Sequence, residues 1–288
     1  MRCSSPFSSS SSSPFRSQAI LISSVMILYY ALTLFGEQLG MESAGSRYFG
    51  LKKPSVIQAA GAKWTGIFLL MAAFDSLYVC YKCSEGARLR FCNVGMMLAL
   101  SRFMLQVSHS CPKLRGATAH GTDKEFLPGI IVSFILMGLF ANVVSNSTLP
   151  AGRKWYSPTT TTGKALLGVA LMHFFFLANM SVMDWTANYT VKRIGAPEFA
   201  QADWCVNLMG TITVHVIFAL TYLDEEEQSG FAKVRVFSAL ACLYQAWCEK
   251  SISTPSTYQQ DMIMITVTTL LGVFAAHNTE IMQKLKLA

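Results

Sequence analysis

Charge is scarce in this sequence. Asp, Glu, Lys and Arg make up 14% of its 288 residues, against about 25% in soluble domains, while 52% of the chain is hydrophobic. A soluble globule of this length could not cover its surface with so few polar groups, so that class is excluded. Acidic residues are scarcer than basic ones, 16 against 23, and none occurs before Glu37. The formal charge of +7 could attract nucleic acid. The Lys and Arg residues, however, sit in short connections between apolar runs and build no basic face or aromatic stacking platform. They read as flanking charge that meets lipid headgroups, and nucleic acid is not an expected partner. The 8 cysteines are scattered within or beside apolar runs and outline no disulfide framework.

Signatures of catalysis are also missing. There is no His-Glu-x-x-His, no Gly-x-Ser-x-Gly and no Gly-x-Gly-x-x-Gly. The nearest approach to a phosphate loop, Gly116 to Gly121, continues into Thr122 and Asp123 without a Lys. Asp224 to Glu227 reads as a solvated cap on a turn. Cys80-x-x-Cys83 with Cys92 falls at one membrane face and His109, Cys111 and His120 at the other, so they cannot share an ion, and each group offers only three candidate ligands. No metal and no cofactor are expected, and a catalytic role is disfavoured.

What the chain does contain is apolar runs near the ~20 residues that cross a hydrocarbon layer. They cover about 18–36, 65–82, 92–109, 128–145, 163–182, 207–223, 232–249 and 261–278. The expected fold is all-α: a polytopic membrane protein of about eight transmembrane helices, built as two tandem four-helix repeats. The expected organisation is a disordered Ser-rich start over 1–18, a first four-helix unit over 19–145, a linker over 146–162, a second unit over 163–279 and a basic tail over 280–288. The repeat rests on a shared plan, from Leu32 to Arg90 and again from Leu177 to Arg235, 145 residues later. In each copy an apolar run ends in a polar segment closing on a basic, apolar, Gly unit, Arg47 to Gly50 or Lys192 to Gly195. Trp64 or Trp204 then precedes another apolar run, which exits into Ala87 to Arg90 or Ala232 to Arg235. Four crossings per repeat leave both halves in the same orientation, related by an axis along the membrane normal.

Ionisable groups inside spans cost about 2.5 to 3.5 kcal/mol each at a helix centre on insertion scales, so each is a candidate functional residue. Asp75 in the second span and Arg102 in the third lie, by reflection about the turn at Gly86, within about 6 Å of the same depth. An ion pair between them is expected, either to pin two helices or to serve a proton or substrate. His173 and Asn179 fall in the fifth span, His215 in the sixth, and Gln245 and Glu249 in the seventh. His215 occupies the place of Asp75 when the two Trp residues are aligned, whereas aligning Gly66 with Gly210 removes the match. A mid-membrane His can relay protons or bind metal, or simply be a neutral hydrogen-bonded bundle residue.

Two polar segments on one side of the membrane, Gly36 to Lys63 and Val182 to Asp203, carry Glu37, Glu42, Arg47, Tyr48 and Phe49 in the first and Asp184, Trp185, Tyr189, Lys192 and Arg193 in the second. They read as interfacial loops or as a two-part lid. A slight excess of Lys and Arg on the face holding both termini leans towards cytosolic termini. Lys284 and Lys286 resemble a dilysine retrieval signal of endoplasmic reticulum membrane proteins and lean the same way. The acid-poor, Ser-rich start also suits an organelle transit peptide. The glycosylation acceptors Asn146 and Asn188 fall on opposite faces, and Asn188 is the usable one if the termini are cytosolic.

Three functions fit. The favoured one is a carrier or a protein binding a small molecule or lipid, with a site between the two bundles lined by Asp75, Arg102, His173 and His215. The others are a non-catalytic accessory or scaffold subunit of an endomembrane complex, and a membrane-embedded lipid-modifying enzyme using His215 or the carboxylates Glu37, Glu42 and Asp184.

Overall fold

A computed structural model describes residues 13–35, 56–109, 123–145, 147–149, 151–182, 190 and 196–287. The described elements are eight helices: α1 Ser13–Leu34, α2 Val56–Lys82, α3 Glu85–His109, α4 Asp123–Ser145, α5 Thr161–Val182, α6 Ala196–Tyr222, α7 Glu225–Cys248 and α8 Pro255–Leu287. No strand occurs among the described residues. Six helices (α1, α2, α3, α5, α6 and α8) are long and apolar enough to cross a membrane, and the apolar part of α4, Gly129–Ser145, is shorter. The chain is a helical membrane protein.

α7 is too polar on average to join that set, and the way it is turned explains why. Its outward residues are Phe237, Leu240, Tyr244 and Trp247, each more than half exposed, and its buried ones include Gln228, Arg235, Ser238 and Gln245. This inside-out pattern is what a lipid-facing helix shows when its polar groups serve the bundle interior. The acidic run Asp224 to Glu227 starts the helix. Asp224 accepts from the Glu227 backbone N–H at 2.8 Å and Glu227 accepts from the Asp224 N–H at 3.1 Å, a reciprocal cap.

Several boundaries differ from expectation. α2 and α6 begin at Val56 and Ala196, so the two polar segments expected to be non-helical both end in helix. The Ala-rich stretches there are good helix formers, and Pro197 sits in a first turn. The start expected to be disordered through residue 18 turns helical at Ser13, where Arg16 pairs with Glu85 and donates to Ser147. The expected basic tail is the end of α8, which runs through Lys284 and Lys286. Glu37, Glu42, Arg47, Tyr48, Phe49, Cys111, His120, Asn146, Asp184, Trp185, Asn188, Tyr189, Lys192 and Arg193 lie outside the described residues. Thr190 is described, and both its N–H and its hydroxyl donate to the Ile252 carbonyl between α7 and α8.

Neighbour relations recur between the halves. The principal packed pairs are α1/α2, α3/α4, α1/α4, α1/α3 and α2/α3 in the first half, and α5/α6, α7/α8, α5/α8, α5/α7 and α6/α7 in the second. Across the halves run α2/α6, α2/α7 and α3/α6. Advancing every label by four, counting round the eight, turns the first set into the second and exchanges α2/α7 with α3/α6. α2 and α6 therefore lie at the centre.

Several contacts across the halves share an offset of 140 residues. Thr65 meets Cys205 at 3.3 Å and Asp75 meets His215 at 3.0 Å, both 140 apart, as the parallel packing of α2 on α6 requires. Tyr78 packs edge-on against Phe231, and Phe91 against Phe218, the same contact with its partners exchanged. These contacts fit the 140-residue offset between Trp64 and Trp204. Arg90 and Arg235, which the spacing of 145 matches, sit in different surroundings: Arg90 lies over the Tyr222 ring while Arg235 is buried against Asp75.

Candidate functional site

The buried charges sit between two apolar layers. Ala72, Ala73, Leu208, Ile212 and Cys242 belong to one hydrophobic cluster, whereas Val79, Val216, Phe231 and Ala232 belong to the other. Asp75, His215 and Arg235 lie between them, each at most 4% exposed. Asp75 Oδ2 accepts from Arg235 Nη2 at 2.6 Å and lies 3.0 Å from His215 Nδ1. Arg235 Nη2 also donates to the Ile212 carbonyl at 2.7 Å. The rest of the centre is unsatisfied: Asp75 Oδ1 and Arg235 Nε and Nη1 are buried without a hydrogen-bond partner. A buried ion pair offsets its desolvation only with good geometry and further hydrogen bonds, so this one retains unused hydrogen-bonding capacity.

The expected partner of Asp75 was Arg102, and the structure replaces it. α2 barely touches α3, and its faces are taken by α1, α6 and α7. Comparing depth by reflection about the turn assumed that consecutive helices are neighbours, and here they are not. Arg102 stays on α3, forms no hydrogen bond or ion pair among the described residues, and acts on His215 only through longer-range charge. Arg235 was missed because it looked like flanking charge at the start of a span. With α7 beginning at Glu225 it lies about three turns deep.

A cavity of about 140 Å³ opens beside this centre, between α2, α5, α6, α7 and α8. It is lined by single helix faces: Trp64, Phe68 and Met71 of α2, Cys205, Met209 and Ile212 of α6, and Ala239 and Cys242 of α7. Each stripe continues about one turn further to an ionisable residue: Met71 to Asp75, Ile212 to His215, Ala239 to Arg235. The charged centre therefore lies under the cavity floor. From α5 comes His173, 4% exposed, with its Nδ1 buried and unpartnered.

The cavity's other end is polar, with Glu249, Ser253, Thr257, Gln260 and Asp261. Glu249 is held in place: Trp64 Nε1 donates to one carboxylate oxygen at 2.9 Å and Gln245 Nε2 to the other at 2.5 Å. Asp261 makes no hydrogen bond or ion pair among the described residues. Of the four residues expected to line one site, Asp75 and His215 are brought together, His173 faces the adjoining cavity, and Arg102 joins neither.

Of the two cysteine and histidine groups, the members other than Cys111 and His120 are described. Cys80, Cys83 and Cys92 are buried free thiols, and Cys80 donates to the Ser17 carbonyl at 3.4 Å. Burial, with Glu227 nearby, pushes the Cys83 thiol up to about 12. His109 Nε2 lies 3.1 Å from Asp203 Oδ2. Among the described residues no three His, Cys, Asp or Glu side chains are placed to hold a metal ion. No family model, curated protein or solved structure matches the chain.

Proposed function

We propose that this is a carrier-like membrane protein that binds a small ligand in the cavity between α2 of the first half and the helices of the second. The observation that carries this is His173. Its side chain lines a cavity between transmembrane helices and its Nδ1 is buried without a partner, and an unmet buried polar group costs about 1 to 3 kcal/mol. A ligand atom would meet it. Asp75, His215 and Arg235 act beneath the floor as the element linking the halves: they join α2, α6 and α7, so a ligand that spreads the cavity-lining faces strains the same three helices. The recurrence of neighbour relations between the halves supports a carrier, since transporters built from repeats place their site where the repeats meet.

The test asks whether the cavity holds a molecule. Protein purified gently from its membrane is analysed by native mass spectrometry, alongside Ala239→Trp and, separately, Cys242→Phe, each of which fills the cavity from α7. The expected result is a small bound species in the wild type that is lost from both variants while they remain folded. Identical spectra for all three would overturn the reading.

A further inference from the structure

The charge of the cavity indicates what enters it. Lys and Arg outnumber Asp and Glu by 23 to 16 in the whole chain, yet among the described residues no Lys or Arg lines the cavity and two carboxylates do, Glu249 and Asp261. They are not equivalent. Glu249 has both oxygens engaged by Trp64 and Gln245, which fixes its position. Asp261 has no partner among the described residues and keeps its full capacity to accept. The indole of Trp64, held by Glu249, and the ring of Phe68 present aromatic surface to the same space, and a cation is attracted to such faces. A second, independent sign of a polar ligand is His173, which lines the same cavity at 4% exposure and has a buried Nδ1 without a hydrogen-bond partner.

Resting on the binding reading above, the geometry points to a small organic amine as the ligand: its ammonium donates to Asp261 beside Glu249, and its apolar body lies between Phe68, Phe176 and Met209. Size limits the body. The volume of about 140 Å³ is well below the ~300 Å³ where drug-sized sites begin, and a dry cavity of about 150 Å³ admits benzene. One ring with a short aminoalkyl arm, or an aliphatic group of similar bulk, fits; a lipid with two acyl chains does not.

The test uses three probes of matched shape on the full chain in detergent: phenethylamine, 3-phenylpropanoate and propylbenzene, with binding read by calorimetry and by shift of the melting temperature. Phenethylamine is expected to bind and the other two to bind at least about 10-fold more weakly, because a charged hydrogen bond decides the preference. Asp261→Asn should weaken phenethylamine by about 10-fold to 100-fold and leave propylbenzene unchanged. The comparison among probes on the wild type needs no variant, so a misfolded Asp261→Asn does not remove it. If propylbenzene or 3-phenylpropanoate equals the amine, or if no probe binds, the amine assignment falls. The binding reading is decided separately, by whether the cavity-filling variants lose the native ligand.

Discussion

At the scale of single residues, the Asp75 carboxylate governs the interior. Replacing it with Asn leaves the Arg235 guanidinium buried with only the Ile212 carbonyl, a change that costs about 3 to 5 kcal/mol when one partner of a buried pair is removed. Arg235→Gln should cost a comparable amount. The double variant should cost less than the sum of the two, because removing both charges leaves neither stranded. Denaturation of the three variants in detergent checks this, and additive losses would mean that the two side chains do not interact. The thiols give a second prediction. Burial, with Glu227 nearby, holds the Cys83 thiol protonated by pushing it up to about 12. At pH 8 to 9 iodoacetamide should therefore modify the exposed Cys248 and spare Cys83 in the folded protein, as peptide mass mapping would report. The ionisable residues of this centre are visible in the sequence as anomalies, Asp75 and His215 among them. Their pairing is not, because it depends on which helix faces which. Asp261 was passed over for a similar reason: it stands at the edge of a span, where an acid looks like ordinary flanking charge.

At the scale of helices, α7 carries the clearest lesson. Its hydropathy is low because its polar residues point inward, so composition alone undervalues it. Phe237, 67% exposed, belongs to its apolar outward face. Phe237→Lys should reduce membrane insertion or stability by about 2 to 3 kcal/mol, whereas the same change on a helix lying in water would be close to neutral; a glycosylation-based insertion assay on this helix separates the two. The crossing of α2 and α7 is tight at Gly230, where an added methyl would press into the Tyr78 hydroxyl that donates to the Glu227 carbonyl. Gly230→Ala is expected to destabilise by about 1 to 3 kcal/mol, and Gly230→Ala with Tyr78→Phe should recover part of the loss. Unaltered melting of Gly230→Ala would show that this crossing is looser. Apolar runs marked most helices well, since length and hydropathy are local properties. The early starts of α2 and α6 were hidden because Ala-rich, partly polar turns extend both helices beyond their apolar cores.

At the scale of the whole molecule, a layout in which all eight described helices cross the membrane would place the α4–α5 connection and the α7–α8 connection on opposite faces. Glycosylation acceptors engineered near Ser157 and near Ser253 should therefore never both be modified in one chain, and a doubly modified chain would break this layout. The sequence offers two spacings between the halves, 140 residues from Trp64 to Trp204 and 145 from Arg90 to Arg235, and contacts such as Tyr78 with Phe231 and Phe91 with Phe218 fit the first. Positions 140 residues apart can also carry opposite chemistry. Glu249 approaches Trp64 with Lys63 in range, and 140 residues away in register His109 approaches Asp203.

The contact of Asp75 with His215 joins α2 to α6 at positions 140 residues apart. An acid on both helices would set one carboxyl group squarely against another there, and the two would have to share a single proton. An acid facing an imidazole avoids that conflict and leaves a carboxylate for Arg235 to bind. At this crossing the two helices are kept together by unlike side chains, and a version with matching acids would be the less stable one.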